Sequence, residues 1–435
     1  MLDINYIRAN RGKVEDAIRN KGYEGEINLE EILKLDDERK ELSVKVDGLR
    51  RERNTIAAQM KNGKPDAALI EQGKALKKQL AEVEPKLAEV EESFISKLKT
   101  VPNIPEDDVP VGLSEDENVV AEVCGEPTKF SFEPRTHYDL AQKRGWLDKE
   151  RAAKVTGSRF AYIKGDMVKL QMAIVNFVMN SLSDENVIKE IIEKNNLEGI
   201  STKPFTLVLP PLMLRTDMYD AMDRLEPRED RYKIEGQELW LQGSAEHVLG
   251  SMHQGEIFDE KELPIRYLGY ATSFREEAGT YGKDMEGIIR MHQFDKLEME
   301  SFSTKETSRK EHELFVAIQR WLVEQLELPY RVIQKCTYDI GKPDARGIDI
   351  EVWMPGQNKY RETHTADYMT DYQSRRLATR VRRADGEVEL VHTNDATAFA
   401  LGRAMVAVIE NYQNEDYSVT VPEVLRKYLD GKEKL

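Results

Sequence analysis

A segment in the second half of the chain, residues 271–300, combines residue types that can bind a nucleotide. Arg275 and Glu277 stand two positions apart at the end of a strand-like run, and Phe294 follows after a glycine-containing loop. On a strand, residues two apart point to the same face. The arginine would then grip a phosphate while the glutamate accepts from an amino group such as that of adenine. An ordinary surface ion pair is the alternative.

A second polar segment follows the strand-like run that ends near residue 354. It contains Glu362, Thr363, His364 and Thr365 in succession. One carboxylate and one hydroxyl can take part in an octahedral magnesium shell that phosphate oxygens and water complete. The alternative is a polar loop without a ligand.

The third segment, residues 392–413, is rich in small residues that would let the backbone pass close to a ligand. Gly402 and Arg403 then open an apolar stretch, Ala404–Ile409. A cation at the start of a buried helix is costly unless it meets an anion. Arg403 is therefore expected to meet either a bound phosphate or a carboxylate of the chain itself.

The elements that must position these segments lie in residues 113–435. Short strand-like runs (FTLVLP, IDIEVWM and EVELVHT) are mixed with longer helical stretches such as Met167–Leu182 and Glu306–Leu326. The strands do not follow a regular strand–helix–strand order. We therefore expect an α+β fold with a mainly antiparallel sheet flanked by helices.

Residues 27–100 show a different pattern. Apolar residues repeat every seven positions before and after the turn-forming stretch KNGKPD at 61–66, which predicts two helices folded back as an antiparallel coiled-coil hairpin. Each helix of roughly 30 residues would span ~45 Å. Pro85 lies inside the second helix and is expected to bend it. The seam positions of the first helix are Leu35, Leu42, Leu49 and Ile56, with Ile32, Arg39, Val46, Arg53 and Met60 beside them.

Charge is distributed unevenly along this predicted arm. The whole chain has a formal net charge of −16, which argues against indiscriminate binding to nucleic acid. The distal half of the arm is nevertheless basic and predicts a phosphate-binding surface; a solvated coiled-coil face or a dimerisation arm is the alternative. The basic residues there are Arg50, Arg51, Arg53, Lys61, Lys64, Lys74, Lys77 and Lys78.

Several classes of function have no support in the sequence. There is no GxxxxGK[ST] loop, no GxGxxG after a strand, no HExxH and no GxSxG. The two cysteines, Cys124 and Cys336, are far apart, and the seven histidines lack metal-ligand spacing, so no zinc is expected. No apolar run is long enough to span a membrane and no signal peptide is evident, which leads us to expect a cytoplasmic protein.

Taken together, the three polar segments resemble the three motifs of class II aminoacyl-tRNA synthetases. Further segments along the whole chain resemble the seryl-tRNA synthetase family in order. They are MLDINYIRAN, PNIPEDDVPVG, FTLVLPPLMLR, SFREEAG, MHQFDKLE, LPYRV, DIEVWMPGQNKYRE, QSRR and VPEVLRKYL. The resemblance implies that L-serine and ATP form seryl-adenylate, and that the seryl group then passes to the 3′ end of tRNA(Ser). Serylation of selenocysteine tRNA, tRNA(Sec), is implied where the host has one.

The resemblance also implies residue roles. Arg275 and Arg403 would be catalytic, Arg275 at the α-phosphate and Arg403 near the γ-phosphate, with Arg290 at the pyrophosphate portion. The implied ATP-binding set is Arg275, Glu276, Glu277, Arg290, Phe294, Glu362, Thr363, His364, Thr365 and Arg403. The implied serine-binding set is Ser244, Ala245, Glu246, Arg275, Glu298, Asp395 and Thr397, and Glu362 with Thr365 would hold Mg²⁺.

Several positions in the amino-acid pocket and metal site differ from the family pattern. Ser244 stands where threonine is usual, His364-Thr365 where Ser-Ser is common, and Asp395 where asparagine is expected. Residues 396–398 read Ala-Thr-Ala in place of Gly-Ser-Gly. The arginines expected to grip ATP match the pattern.

The family resemblance implies two domains and a homodimer. Residues 1–104 would form a tRNA-binding domain whose hairpin arm spans about 27–100, and residues 105–435 would form the catalytic domain. Pro210 or Pro211 would belong to the motif at the dimer interface. The implied tRNA-binding residues are Arg50, Arg51, Arg53, Lys74, Lys77 and Lys78. The alternatives are a ligase that loads an amino acid onto a carrier protein and an inactive, RNA-binding paralogue.

Overall fold

A computed structural model describes residues 1–61, 67–277 and 287–435. The chain divides into two compact units, Met1–Ile104 and Pro105–Leu435. The predicted turn of the arm, with Lys64, and the loop glycines Gly279 and Gly282 lie outside the described residues.

The helices and strands are numbered here in chain order. The helices are α1 Ile4–Ala9, α2 Arg11–Asn20, α3 Leu29–Lys61, α4 Ala67–Leu98, α5 His137–Arg144, α6 Lys149–Thr156, α7 Asp166–Leu182, α8 Glu185–Lys194, α9 Thr216–Ala221, α10 Ala245–Gly250, α11 Ser308–Gln325, α12 Tyr372–Leu377, α13 Leu401–Asn411 and α14 Glu423–Arg426. The strands are β1 Val119–Cys124, β2 Leu147–Asp148, β3 Tyr162–Ile163, β4 Thr206–Val208, β5 Met213–Arg215, β6 Leu239–Leu241, β7 Ile257–Asp259, β8 Ile265–Phe274, β9 Gln293–Ser303, β10 Tyr330–Gln334, β11 Arg346–Met354, β12 Lys359–Thr370, β13 Arg380–Arg382, β14 Val388–Leu390 and β15 His392–Ala400.

Helices α3 and α4 form the predicted antiparallel hairpin. They contain 33 and 32 residues, which corresponds to roughly 50 Å of helix each. Salt bridges join Glu31 to Lys97 at 3.0 Å near one end and Arg50 to Glu84 at 2.9 Å farther along. The two helices pair because the heptad pattern places an apolar seam on each of them. The seam packs Val46, Leu80 and Val83 against Leu42, Leu49 and Leu87.

Two local features modify this hairpin. Helix α4 runs through Pro85 without interruption, although the proline has no amide to donate to the preceding turn. Near the start of α3, the fully buried carboxylate of Asp36 accepts from Arg8 at 2.8 Å, Arg39 at 2.7 Å and Lys40 at 2.6 Å. Burial opposes ionisation, but the three cations outweigh it and lower the pKa of Asp36 to about 2.

The second unit is organised around an eight-stranded sheet with the order β1-β10-β11-β12-β15-β9-β8-β4. Neighbouring strands are antiparallel except at one edge, where β4 runs parallel to β8. The mixed, mainly antiparallel α+β architecture predicted from the sequence is therefore confirmed.

Alternation along the strands gives the sheet an apolar face and a polar face. On β9, Leu297 and Met299 belong to the main hydrophobic core, which also contains apolar residues of α11 and α13. The intervening residues Lys296, Glu298 and Glu300 point to the opposite face. Central strands of a covered sheet are usually apolar on both faces, so charged residues here indicate a functional site.

Candidate active site

A cavity opens on the polar face of the sheet, close to the ends of β8, β9 and β15 and the start of α13. It brings together residues from all three polar segments of the sequence. Its lining includes Arg275, Glu277, Arg290, Phe294, Lys296, Glu362, Thr363, Thr365, Thr397, Gly402 and Arg403.

Arg275 enters this cavity from the end of β8. The prediction that Arg275 and Glu277 lie on a strand is wrong, because β8 ends at Phe274 and Glu277 has a left-handed backbone with φ of +51°. Arg275 Nε donates to the Gly243 carbonyl oxygen at 3.0 Å, and its guanidinium lies 5.4 Å from the centre of the Phe294 ring. Burial, together with the nearby Arg231, lowers the pKa of Arg275, so an anion bound beside it would relieve a real electrostatic cost.

Glu277 and Arg290, both assigned to ATP by the family resemblance, form an ion pair with each other. The Glu277 carbonyl oxygen also accepts from Arg159 Nη1 at 3.1 Å. Glu276 lies just before them, where its amide donates to the Asp230 carbonyl oxygen at 3.1 Å. A nucleotide that reached Glu277 and Arg290 would exchange their mutual contact for contacts with the ligand.

Arg403 enters from the opposite side, at the third residue of α13. Its Nη1 donates to the carbonyl oxygen of Glu362 at 2.9 Å and to the Glu362 carboxylate at 2.8 Å. The carboxylate partner considered from the sequence is therefore present. Burial would raise the pKa of Glu362, but Arg403 and Lys335 outweigh it and lower that pKa. Gly402 permits the arrangement, since a Cβ there would lie 2.8 Å from the Ile288 carbonyl oxygen.

The residues beside Glu362 divide between the two faces of β12. Thr363 and Thr365 line the cavity, whereas the fully buried His364 packs against Phe399 with ring centres 4.7 Å apart. Burial lowers the pKa of His364 to about 3, so its ring is neutral. The expected direct contact between His364 and ATP does not match this placement, because the strand register shifts between Glu362 and His364 and leaves the ring in the core.

Two of the residues assigned to serine contact Lys296, which lines the cavity. Ser244 Oγ accepts from Lys296 Nζ at 3.3 Å, and the same ammonium lies 2.5 Å from Glu298 Oε2. Thr397 lies opposite Glu298 in the β15–β9 register and lines the cavity. The side chain of Ala245 packs against Leu249 and Ala271, so only its backbone can face a ligand. Among the assigned residues, the structure thus groups Ser244, Glu298 and Thr397.

Sequence reasoning missed two cations of this region. Lys296 could have been identified from the sequence, because it stands two positions from both Phe294 and Glu298 on the same strand and therefore points to the same face. Arg224 had none: it lies outside every motif, yet its Nε donates to Glu246 at 2.8 Å and its Nη2 to Asp344 at 3.1 Å. Gln373 Nε2 also donates to Glu246, at 3.1 Å.

Known protein families match both units of the chain. Residues 1–105 match the family model of the seryl-tRNA synthetase N-terminal domain, and residues 230–412 match the tRNA synthetase class II core domain (G, H, P, S and T). The serine–tRNA ligase of Thermodesulfovibrio yellowstonii is 39% identical over 99% of both chains, and that of Methanocella arvoryzae is 40% identical over 100% of both. The chain belongs to the seryl-tRNA synthetase family.

Two solved members of this family have the same fold. The seryl-tRNA synthetase of Pyrococcus horikoshii, complexed with ATP, superposes with a TM-score of 0.87 at 38% identity, covering 100% of this chain and 99% of its own. The cytoplasmic serine–tRNA ligase of Naegleria fowleri, in complex with AMP, gives 0.82 at 25% identity, covering 100% and 98%. The family predicted from the sequence is confirmed.

The family's N-terminal domain corresponds here to the unit that carries the hairpin. The residues assigned to tRNA are all exposed on α3 and α4 and are called the arm patch below. They are Arg50, Arg51, Arg53, Lys74, Lys77 and Lys78. Arg50 is bridged to Glu84 and Lys74 to Glu71, both at the surface, where such pairs hold little energy. No helix in the described ranges is long and apolar enough to cross a membrane.

Proposed function

We propose that this chain activates L-serine with ATP and transfers the seryl group to tRNA(Ser). The observation that carries the proposal is the convergence of Arg275 and Arg403 on one cavity from segments more than a hundred residues apart. The full-length relatives at about 39% identity confirm the predicted serine–tRNA ligase activity as a class of function. The roles of individual residues are the proposal made here.

The first step joins serine to the α-phosphate. A carboxylate oxygen of serine forms a bond to the α-phosphorus, and pyrophosphate leaves with the electrons of the bond that breaks. Arg275 would hold the α-phosphate and Arg403 the γ-phosphate, while Phe294 stacks beneath the adenine and Glu277 accepts from its amino group. Fixed cations at developing charge, and fixed orientation of the two reactants, are the main sources of rate in such a site.

Magnesium would be held by Glu362 and Thr365, which line the same cavity. In the described part of the chain, no three histidine, cysteine or acidic residues are grouped to hold a metal ion. One carboxylate and one hydroxyl suit an ion that keeps water and takes its other ligands from phosphates, so the donor set fits. When bound, Mg²⁺ would neutralise phosphate charge, and Arg403, released from Glu362, would turn to the phosphates.

We place the α-ammonium group of serine at Ser244, Glu246 and Glu298. In the transfer step, the arm patch would contact the phosphate backbone of tRNA. Homodimer formation is proposed at the segment around Pro210 and Pro211, where several apolar side chains are exposed on the surface. They are Leu207, Leu209, Leu212 and Met213. A cytoplasmic location goes with this function.

The decisive test is serine-dependent ATP–pyrophosphate exchange with Arg275→Ala. We expect exchange to fall at least roughly a hundredfold, because a buried cation at the reacting phosphate is lost. Arg383→Ala, an arginine from a partly exposed ion-pair cluster, is the matched control and should leave exchange unchanged. Near-normal exchange by a folded Arg275→Ala protein would remove Arg275 from this role.

A second experiment separates the synthetase from its alternatives. Charge reversal at four arm-patch positions should weaken charging of tRNA while leaving pyrophosphate exchange intact. The positions are Arg50, Arg51, Lys77 and Lys78. Equal loss of both activities would mean that the arm patch is structural. Exchange without any transfer to tRNA would favour a carrier-protein ligase, and absence of exchange an inactive paralogue.

A further inference from the structure

The polar face of the sheet carries more buried acid than the proposed serine site uses. Four carboxylates that are close enough to influence one another's pKa are called the acidic floor: Glu246, Glu298, Glu300 and Asp395. Glu298 and Glu300 are fully buried, and the other two are at most 5% exposed. Glu300 lies directly opposite Asp395 in the β15–β9 register, one same-face step along the strand from the Glu298–Thr397 pair.

Among the described residues, only two of the four carboxylates of the acidic floor form ion pairs with nearby cations. Glu246 is paired with Arg224 at 2.8 Å, and that arginine is shared with Asp344. Glu298 is paired with Lys296 at 2.5 Å. Within the described ranges, neither oxygen of Glu300 has a hydrogen-bond partner, and Asp395 Oδ1 also lacks one. No cation in those ranges lies within ion-pair distance of these two carboxylates.

Buried carboxylates without partners are costly and need an explanation. Burial first, and the neighbouring acids second, raise the pKa of both Glu300 and Asp395 well above the usual range. Without a ligand, these two groups therefore tend to hold protons in place of a counterion. A cation that entered between them would restore their charge and take the place of those protons.

We propose that the amino-acid subsite also accepts L-amino acids that carry a second ammonium group on a short side chain. This inference rests on the proposed function, because it uses the same α-ammonium position beside Ser244 and Glu298. The second ammonium group would lie between Glu300 and Asp395. The substrate class is therefore a short diamino acid, activated in addition to serine.

The structure already shows one alkylammonium group seated on the acidic floor. Lys296 Nζ lies against Ser244 Oγ and Glu298 Oε2, the atoms assigned to the substrate's α-ammonium group. Residues two apart on a strand are separated by about 6.6 Å, so the Glu300–Asp395 pair lies one such step farther. A short alkyl chain, together with the reach of the carboxylates themselves, would span this step.

Two observations restrict the chemical class and the size of the ligand that could bind here. In the described ranges, no group of three or more acidic, histidine or cysteine side chains has an arrangement that could hold a metal ion, which favours an organic ammonium group as the ligand. Gly250 and Met222 limit the space beside Glu300, since a Cβ on Gly250 would lie 3.5 Å from Glu300 Oε1 and only 2.5 Å from Met222 Cε. The side chain that fits is therefore short.

The chemical step is unchanged by the second ammonium group. A carboxylate oxygen of the diamino acid bonds to the α-phosphorus of ATP, and the bond from that phosphorus to the bridging oxygen breaks. Pyrophosphate leaves with the electron pair. The side-chain ammonium stays protonated and only fixes the position of the substrate, so no further reactant is needed.

The test is pyrophosphate exchange by the full-length wild-type protein with serine, 2,3-diaminopropionate, 2,4-diaminobutyrate and lysine. We expect at least one of the two short diamino acids to raise exchange about tenfold or more above the rate without amino acid, and lysine to fail. Exchange with serine but with neither short diamino acid would overturn this inference alone. Exchange with none of the four would overturn the proposed function as well.

Glu300→Gln isolates the charge, with Glu387→Gln at an exposed turn as the matched control. We expect Glu300→Gln to lower kcat/KM for the diamino acid roughly ten- to a hundredfold, the value of a hydrogen bond to a charged group. The kcat/KM for serine should change less than about threefold. Equal loss with both substrates would overturn the assignment. If Glu300→Gln does not fold, competition at the wild-type protein decides: a short diamino acid must reduce the attachment of labelled serine to tRNA, and failure to reduce it overturns the proposal.

Discussion

Replacement of Arg403 by methionine should separate activity from stability. Arg403 contacts Glu362 through Nη1 at 2.8 Å, but the two side chains are 25% and 48% exposed. Such a solvated pair is worth about 0–1 kcal/mol to folding, because water screens both charges. The methionine fills most of the volume of the aliphatic stem. We therefore expect the unfolding midpoint to change by no more than about 4 °C.

The effect on catalysis should be much larger. If Arg403 meets the terminal phosphate in the transition state, its loss removes a preorganised cation, a change worth roughly 3–4 kcal/mol or a hundred- to a thousandfold in kcat. Serine-dependent pyrophosphate exchange measures this directly, and thermal unfolding of the same preparation measures the first effect. Arg403→Lys keeps the charge but not the two-pronged geometry, so it should recover only part of the rate.

Either of two results would refute this reasoning. Exchange within about threefold of wild type would show that Arg403 serves only Glu362. A loss of exchange accompanied by a large fall in the unfolding midpoint would show that the arginine holds the start of α13 in place, and that the loss of rate follows from unfolding.

Three further predictions concern folding and the amino-acid subsite. Glu311→Ala should destabilise the protein by about 3–5 kcal/mol in denaturant unfolding, because it leaves Arg266 buried without its carboxylate partner. The double variant Arg266→Met with Glu311→Leu should recover most of the lost stability, and a Glu311→Ala variant as stable as wild type would contradict the prediction. Asp36 has a depressed pKa, so its contribution to stability, at most about 2 kcal/mol, is complete above pH ~5 and disappears as the pH falls towards 2. Asp36→Asn should lack this acid-dependent part in circular dichroism melts, and an unchanged acid profile would refute the assignment. Glu298→Gln should raise the KM for serine roughly tenfold or more with a smaller effect on the KM for ATP, and an unchanged KM for serine would remove Glu298 from the amino-acid site.

The helical hairpin was accessible from the sequence because its determinants are local. A seven-residue repeat specifies which side of each helix is apolar, and a short turn between two such helices leaves the antiparallel arrangement as the only compact one. The same holds for the sheet, since runs such as 348–354 show strand composition directly. The position of Pro85 inside the second helix was visible too, and α4 does continue through it.

The residues proposed to bind ATP illustrate what required the tertiary structure. Arg275 and Arg403 could be named as anion-binding residues from their neighbours in the chain, because a cation next to small or buried residues implies a partner. Their convergence depends on how β8, β9, β15 and α13 pack. The backbone conformation of Glu277 depends on where strand β8 ends. The burial of the His364 ring depends on which face of the strand the residue occupies, and a shift of one residue reverses that face.

The sequence by itself determined the family, the fold class, the basic arm and the residue types available for chemistry. Only the tertiary structure decided which charges neutralise one another. Arg224 forms an ion pair with Glu246, 22 positions away, and Lys296 forms one with Glu298. Glu300 lies beside Asp395 without a cation partner in the described chain. The physical reason is that charge pairing in a low-dielectric interior depends on distances of a few ångströms between residues far apart in the chain.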